Sequence, residues 1–216
     1  MKQRTVSWLV VLIISGALIF IDILTAGIIS RFKIYPLLAI GMARIADIAA
    51  MVIIIVLWGN GMENIGLGKN KIFPGLLAGL AWAVGFGICA LLLLGVMHVA
   101  GYNIRNLFFL SVETKPFSLI LLFVIGGFVS PVAEEIFFRG IIYRHLRRWG
   151  AILAIVGSTL VFSMAHLLST GLTPVQVIGG LVFAISYEIR NNLFVPIIIH
   201  VMGNMAIFTL SLILAS

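Results

Sequence analysis

Long apolar stretches separated by short polar connections run along the whole chain. Seven such stretches can be marked, at residues 7–29, 36–57, 73–99, 117–141, 151–169, 174–188 and 193–214. A helix of about 20 apolar residues spans the hydrocarbon core of a bilayer. Only helices and closed barrels satisfy all their backbone hydrogen bonds inside lipid. The pattern therefore predicts an all-α fold, a polytopic transmembrane helical bundle with about seven spans.

The composition supports a membrane protein and leaves little room for a soluble domain. Hydrophobic residues make up 62% of the chain and charged residues only 10%, whereas soluble domains carry about 25% charged residues. The net charge of +7 does not predict a nucleic-acid partner, because the basic residues lie mostly at the ends of apolar stretches. The single cysteine, Cys89, excludes an internal disulfide and a cysteine-based zinc cluster.

The basic residues also predict an orientation in the membrane. With a cytoplasmic N-terminus, the loops on that side hold Lys2, Arg4, Lys69, Lys71, Arg144, Arg147, Arg148 and Arg190. The opposite loops hold only Arg31, Lys33, Arg105 and Lys115. Cytoplasmic loops carry an excess of Lys and Arg. We therefore expect a cytoplasmic N-terminus and a C-terminus on the other side. The compact chain, with no organelle signal, favours a multi-pass protein of a prokaryotic cytoplasmic membrane.

Three charged residues fall inside the first two apolar stretches, namely Asp22, Arg44 and Asp47. A charged side chain at the bilayer centre costs at least ~2.5–3.5 kcal/mol, so such residues need a partner or a function. Asp22 could pair with Arg44 between two helices. A substrate or proton pathway is the other interpretation, and the sequence leaves both open.

Small residues recur at every fourth position of the third stretch, at Gly75, Gly79, Ala83 and Gly87. Such a repeat allows a neighbouring helix to approach closely. We therefore expect this stretch to pack tightly against another span.

The fourth stretch contains the motif Glu134-Glu135-x-x-x-Arg139. On a helix, Glu135 and Arg139 stand four residues apart with the acid first, which is the favourable order for an ion pair. Glu134 is rotated by about 100° from its neighbour. One glutamate therefore has a predicted partner, while the other has none, which favours a supported catalytic carboxylate.

Two later motifs place polar side chains in otherwise apolar stretches. Phe162 and His166 are four residues apart, and so are His200 and Asn204, so each pair shares one face of its helix. Counted at ~1.5 Å per residue from the predicted cytoplasmic turns, Glu134 and these polar groups lie at similar depth. The sequence thus predicts one buried polar site.

These residue types suit the hydrolysis of a carbonyl compound. A buried glutamate can act as a general base that deprotonates water, and a nearby histidine can share the proton. A second histidine and an asparagine amide can donate hydrogen bonds to the oxyanion that forms. The chain has no His-Glu-x-x-His zinc motif.

In their order, the three motifs resemble those of the CPBP family (CAAX proteases and bacteriocin-processing enzymes, also called Abi). The resemblance covers about residues 117–210. It divides the chain into residues 1–116, with three spans outside the resemblance, and residues 117–216, a CPBP-like catalytic core with four spans. It implies an intramembrane endopeptidase similar to the Ras-converting CAAX endoprotease branch. The partners would be a membrane-associated or lipidated peptide and the bilayer, with no nucleic acid.

By this resemblance, Glu134 and His166 would activate the water, and His200 and Asn204 would hold the oxyanion. The supporting residues would be Glu135, Arg139 and Phe162. We expect no metal cofactor, although His166, His200 and a glutamate could bind zinc in an alternative mechanism. A second alternative is a non-enzymatic protein of the same fold, either a bacteriocin self-immunity factor or a membrane scaffold.

Overall fold

The computed structural model describes residues 5–102, 115–167, 171 and 173–215, and seven helices run through them. We number them α1 (Trp8–Phe32), α2 (Pro36–Trp58), α3 (Ile72–Val99), α4 (Pro116–Trp149), α5 (Ala151–Leu167), α6 (Pro174–Arg190) and α7 (Phe194–Ala215). Two short 3₁₀ turns, Met62–Ile65 and Lys69–Lys71, precede α3. No strand occurs in the described residues, so the predicted all-α bundle is confirmed.

Five helical segments are long and apolar enough to cross a membrane. They contain α1, α2, α3, α4 and α7. The other two helices, α5 and α6, have 17 residues each, or about 25 Å at 1.5 Å per residue. That is slightly shorter than the ~30 Å hydrocarbon core. Residues 168 and 169, the end of the predicted fifth span, lie outside the described residues.

Helix α4 is the centre of the bundle, and its hydrogen bonding is not uniformly α-helical. It packs against α2, α5, α6 and α7. Two π-helical segments, Leu122–Val129 and Ile136–Tyr143, flank the α-helical segment Ser130–Glu135. Since π-helical turns occur frequently at functional sites, the segment that carries both glutamates is set apart by its backbone as well as by its charge.

The end of α4 differs from the sequence-based boundary. We expected a span ending at residue 141 followed by a basic loop, but α4 continues to Trp149, and both Arg144 and His145 are buried. Arg144 Nε donates to the Tyr187 hydroxyl (2.7 Å), which donates to the Ile65 carbonyl (2.7 Å). The basic side chains therefore hold α4 to α6 and to the turn before α3, rather than lying in a solvated loop.

The glycine repeat of α3 packs against α7 over part of its length. A Cβ on Gly79 would lie 2.7 Å from Ile198 Cβ, and one on Gly75 would lie 2.7 Å from Phe194 Cβ. Gly87 has no described atom within 4 Å of its Cβ position. The predicted close approach is thus found at the first two glycines, whereas the repeat continues beyond the contact.

Candidate active site

The adjacent residues Glu134 and Glu135 have opposite environments. The Glu135 side chain is fully buried, whereas 23% of the Glu134 side chain is exposed. The rotation of about 100° between consecutive helical residues separates their directions. Glu135 therefore faces the interior of the bundle, while Glu134 lines a cavity.

We call Glu135, Arg139 and His200 the buried cluster. Arg139 Nη1 donates to Glu135 Oε1 at 3.0 Å, so the structure contains the ion pair that the four-residue spacing predicted. The other guanidinium nitrogen, Nη2, donates to the Gly180 carbonyl at 3.0 Å. His200 Nδ1 donates to the same Glu135 oxygen at 2.8 Å. Sequence reasoning missed this last contact, because no spacing rule relates residues on two different helices.

Glu134 faces both histidines of the predicted site. Its Oε2 lies 3.7 Å from His166 Nε2 and 3.8 Å from His200 Nε2, and this oxygen is buried without a hydrogen-bond partner in the described structure. These distances exceed those of direct hydrogen bonds. A separation of this kind suits a bridging water molecule.

The second nitrogen of each histidine fixes the orientation of its ring. His166 Nδ1 donates to the carbonyl of Phe162, one turn earlier on α5, at 2.9 Å. His200 Nδ1 is used by Glu135, as described above. Both Nε2 atoms therefore point at Glu134, and with a proton on each Nδ1, Nε2 is the nitrogen of each ring that accepts or carries the second proton.

Aromatic rings enclose the charged groups. Phe162 lies with its ring centroid 4.4 Å from that of His166, and the Arg139 guanidinium carbon lies 4.8 Å from the Phe162 centroid. Phe183 stacks on His200 at 4.6 Å with an interplanar angle of 21°. The sequence analysis identified Phe162 but missed Phe183, because Phe183 lies in an apolar stretch and belongs to none of the three motifs.

Asn204 is one turn after His200 on α7, as predicted, and its amide is already engaged. Its Nδ2 donates to the Gly126 carbonyl at 2.9 Å, within the first π-helical segment of α4. An asparagine amide has two N–H groups, so this bond orients the side chain and leaves a second donor.

A cavity of about 600 Å³ connects this site to the N-terminal helices. Glu134 and His166 line one part of it, together with Ala133, Phe137, Phe138 and Ala165. Residues of α1 and α2 line the rest, among them Asp22, Arg44 and Asp47. We call these three charged residues the cavity cluster.

Arg44 binds both acids of the cavity cluster. It donates to Asp22 at 3.1 Å and to Asp47 at 2.7 Å. The interhelical pair between Asp22 and Arg44 that the sequence suggested is confirmed. The location of this pair on the wall of the Glu134 cavity was not predictable from spacing.

Comparison with known proteins connects this geometry to a family. Residues 116–206 match the model of the family described as type II CAAX prenyl endopeptidase, Rce1-like. This match supports a CPBP family protein and covers the second half of the chain up to residue 206. The match includes every residue of the predicted site, namely Glu134, Glu135, Arg139, Phe162, His166, His200 and Asn204.

A curated relative supports the CPBP assignment. The chain is 27% identical, over 143 residues, to the membrane-embedded CAAX protease MroQ of Staphylococcus aureus (strain USA300). The alignment covers 63% of this chain and 57% of the length of MroQ. No solved structure matches the chain.

The CPBP region and the remainder of the chain contribute differently to the cavity. Glu134 and His166 come from the matched residues 116–206, whereas the cavity cluster comes from α1 and α2, outside the match.

In the described part of the chain, no group of three or more His, Cys, Asp or Glu side chains is arranged to hold a metal ion.

Proposed function

We propose that this CPBP protein is an intramembrane endopeptidase, which hydrolyses a peptide bond of a membrane-associated or lipidated peptide or protein. The observation that carries the proposal is the convergence of His166 Nε2 and His200 Nε2 on Glu134 Oε2, at 3.7 and 3.8 Å, beside a cavity. The family match and the similarity to a membrane-embedded CAAX protease support it.

In the proposed reaction, Glu134 is the general base. A water molecule between Glu134 and His166 would lose a proton to the glutamate as its oxygen attacks the scissile carbonyl. His166 Nε2 is available to share that proton, since Nδ1 is committed to the Phe162 carbonyl. General bases of this kind contribute about 10²–10⁴-fold to a rate. The proton then passes to the amine that leaves.

His200 and Asn204 would stabilise the oxyanion. Nδ1 of His200 already donates to Glu135, so a second donor at Nε2 requires the doubly protonated ring. With His200 and Arg139 positive and both glutamates negative, the four groups sum to zero charge, which suits a site of low dielectric constant.

The supporting residues hold His200 in place. Arg139 compensates Glu135, and Glu135 orients the His200 ring through Nδ1. Phe162 contacts the rings of both histidines, with centroids at 4.4 Å from His166 and 5.9 Å from His200. A histidine oriented in this way presents one nitrogen to the substrate in a fixed direction.

We propose that no metal takes part. The Asn204 amide next to His200 suits a pair of hydrogen-bond donors, and a zinc site would give Asn204 no role in the reaction beyond its bond to the Gly126 carbonyl. In the zinc alternative, the ligand atoms of His166, His200 and Glu134 would have to lie about 2.0–2.2 Å from one ion. The two mechanisms differ in the zinc content that elemental analysis of the active protein would find.

The substitution Glu134→Gln tests the function. We expect the variant to insert, fold and lose all cleavage, because an amide cannot accept the proton of water. The measurement uses the purified chain in phosphatidylcholine nanodiscs with a synthetic library of N-palmitoylated peptides of randomised sequence, and mass spectrometry of the products. Glu63→Gln, which removes an exposed acid outside the cavity, is the matched control and should retain cleavage.

Full peptidase activity in Glu134→Gln would contradict the mechanism. A folded wild-type chain that cleaves no peptide would favour the immunity or scaffold alternative. Stoichiometric zinc in the active protein, lost together with activity in His166→Ala, would replace the metal-free mechanism by the zinc one.

The orientation is also a proposal. The distribution of Lys and Arg predicts a cytoplasmic N-terminus, and seven crossings would then place the C-terminus on the other side. Reporter fusions before α1 and after α7 measure both positions in cells. Cytoplasmic signals at both ends would mean an even number of crossings and would remove either α5 or α6, the two shorter helices, from the set of spans.

A further inference from the structure

The cavity cluster has features that a structural ion pair does not need. Only one of its three side chains, that of Asp47, is fully buried, while 53% of the Asp22 side chain and 29% of the Arg44 side chain are exposed. An ion pair that only joins α1 to α2 would be expected to exclude both partners from the cavity. Here all three side chains line it.

One buried oxygen of this cluster lacks a partner. Asp47 accepts from Arg44 through Oδ2, whereas its Oδ1 is buried without a hydrogen bond in the described structure. Asp47 is 1% exposed. A buried carboxylate oxygen without a hydrogen bond is destabilising, and more so when the group is charged. Asp47 lines the cavity, and its second oxygen has a hydrogen-bonding capacity that Arg44 does not use.

The charges of the cavity favour a cation. With its carboxylates ionised, the cavity cluster carries two negative charges and one positive charge. Glu134 adds a third carboxylate to the described lining. Both terminal nitrogens of Arg44 already donate to carboxylates, so an anionic ligand would have to displace an existing partner. A cationic ligand would instead meet the carboxylates that line the cavity.

The remaining lining suits the aliphatic part of a long basic side chain. Leu18, Ile19 and Met51 lie around the cluster, and Phe137 and Phe138 lie towards Glu134. Lysine and arginine bury their methylene stems against apolar surfaces while their charged ends reach polar groups. A volume of about 600 Å³ lies within the range of ligand pockets, about 300–1,000 Å³.

We infer that the cavity cluster is a selectivity site, which binds a lysine or arginine side chain of the peptide substrate while Glu134 and His166 act on a nearby peptide bond. The inference rests on the proposed function for the location of the reaction. It assigns α1 and α2, which lie outside the matched CPBP region, the role of choosing the substrate. Asp22 and Asp47 would accept hydrogen bonds from the basic group, and Arg44 would hold the two carboxylates apart.

The test uses the same N-palmitoylated peptide library in two measurements. Cleaved sequences are read by mass spectrometry with the wild-type chain, and retained sequences are read with immobilised Glu134→Gln chain, which cannot turn over. We expect Lys and Arg to be enriched about tenfold or more at one fixed distance from the cleaved bond, as for a charge-assisted hydrogen bond. The retained peptides should show the same preference.

The variants Asp22→Asn and Asp47→Asn should each reduce this enrichment, whereas Glu63→Gln should not. Asp22→Asn is the principal variant because its half-exposed side chain can change without disturbing the fold, and Asp47→Asn is compared only if its melting temperature is unchanged. An enrichment unaffected by Asp22→Asn, or no preference for basic residues, would overturn the inference. So would a preference for acidic groups that Arg44→Gln abolishes.

The two measurements separate this inference from the proposed function. Cleavage that depends on Glu134 but shows no basic preference leaves the function standing and removes the selectivity site. Retention of basic peptides that depends on Asp22, without any cleavage, leaves a cation-binding cavity and removes the peptidase. Neither cleavage nor basic retention would remove both.

Discussion

The protein has two intramembrane clusters of similar composition and different construction. The buried cluster and the cavity cluster each contain one arginine and at least one acid that is almost fully buried. In the first, Glu135 and Arg139 have no exposed surface, and one carboxylate oxygen accepts from both Arg139 and His200. In the second, the Arg44 side chain is 29% exposed and all three side chains line the cavity. Each cluster also contains one buried carboxylate oxygen without a hydrogen bond in the described structure, Glu135 Oε2 in the first and Asp47 Oδ1 in the second. The first is closed, and the second is open to the cavity.

The difference shows how charge is used at membrane depth. A charge in the bilayer is tolerated when it is paired or when it lines a functional cavity. The buried cluster meets the first condition and orients a histidine, so its contribution is rigidity. The cavity cluster meets the second, because all three of its side chains line the cavity, so we assign it to recognition.

The largest effect on stability is expected when the ion pair of the buried cluster is broken. Arg139→Ala would leave Glu135 buried with only His200 as a donor, and removing one partner of a buried pair costs about 3–5 kcal/mol. Thermal unfolding in detergent should show a clearly lowered melting temperature, and activity should fall with it. Arg190→Ala, which removes an exposed arginine at the end of α6, is the control and should change stability by at most about 0.5 kcal/mol.

Arg139→Lys refines the same prediction. Lysine retains the charge but lacks the planar fork that joins Glu135 to the Gly180 carbonyl. Its stability should lie between those of the parent and Arg139→Ala. Unchanged stability in Arg139→Ala would mean that the pair does not stabilise the bundle.

A smaller effect, on rate rather than stability, is expected at Asn204. Loss of one oxyanion donor typically lowers a rate by about 10²–10³-fold, so Asn204→Ala should retain weak cleavage where Glu134→Gln retains none. The measurement is the rate of product formation under saturating peptide, with the melting temperature as a second readout. Thr209→Val, which changes an exposed threonine bonded to its own helix, is the control on α7.

A purely structural Asn204 would give a different result. The amide bond to the Gly126 carbonyl joins α7 to α4. If that bond were its whole role, Asn204→Ala would lower the melting temperature and the rate together. A reduced rate at unchanged melting temperature supports the oxyanion assignment.

The sequence predicted local relations better than relations between helices. The fold class follows from the length of the apolar stretches. The pairing of Glu135 with Arg139 and the shared face of Phe162 and His166 follow from the helical period of 3.6 residues. The contact of His200 with Glu135 joins α7 to α4. It depends on how helices cross, which no single helix encodes.

Two further features show the limit of pattern reasoning. The basic run after residue 141 resembled a cytoplasmic loop, but Arg144 is buried because Tyr187 accepts from its guanidinium. The cavity joins Glu134 to residues about 90 to 110 positions earlier in the chain, and their proximity comes from the packing of α1 on α2 and of α2 on α4. The positions of Arg44 and Arg144 in the sequence do not show what these side chains contact. Their environments are set by how the helices pack.

The smallest effect on stability is expected at Asp22, the most exposed member of the cavity cluster. It is the most direct test of whether the two clusters differ. Asp22 is 53% exposed and pairs with Arg44 at 3.1 Å, and Arg44 keeps its second partner, Asp47, when Asp22 is replaced. Asp22→Asn should therefore shift the melting temperature far less than Arg139→Ala, although both variants remove one member of an intramembrane ion pair. Thermal unfolding of the two variants side by side measures this. A loss of stability in Asp22→Asn as large as that in Arg139→Ala would mean that the two clusters are equally structural. Nearly unchanged stability would instead show that Asp22 contributes little to the free energy of unfolding, as expected for a residue with a role in binding.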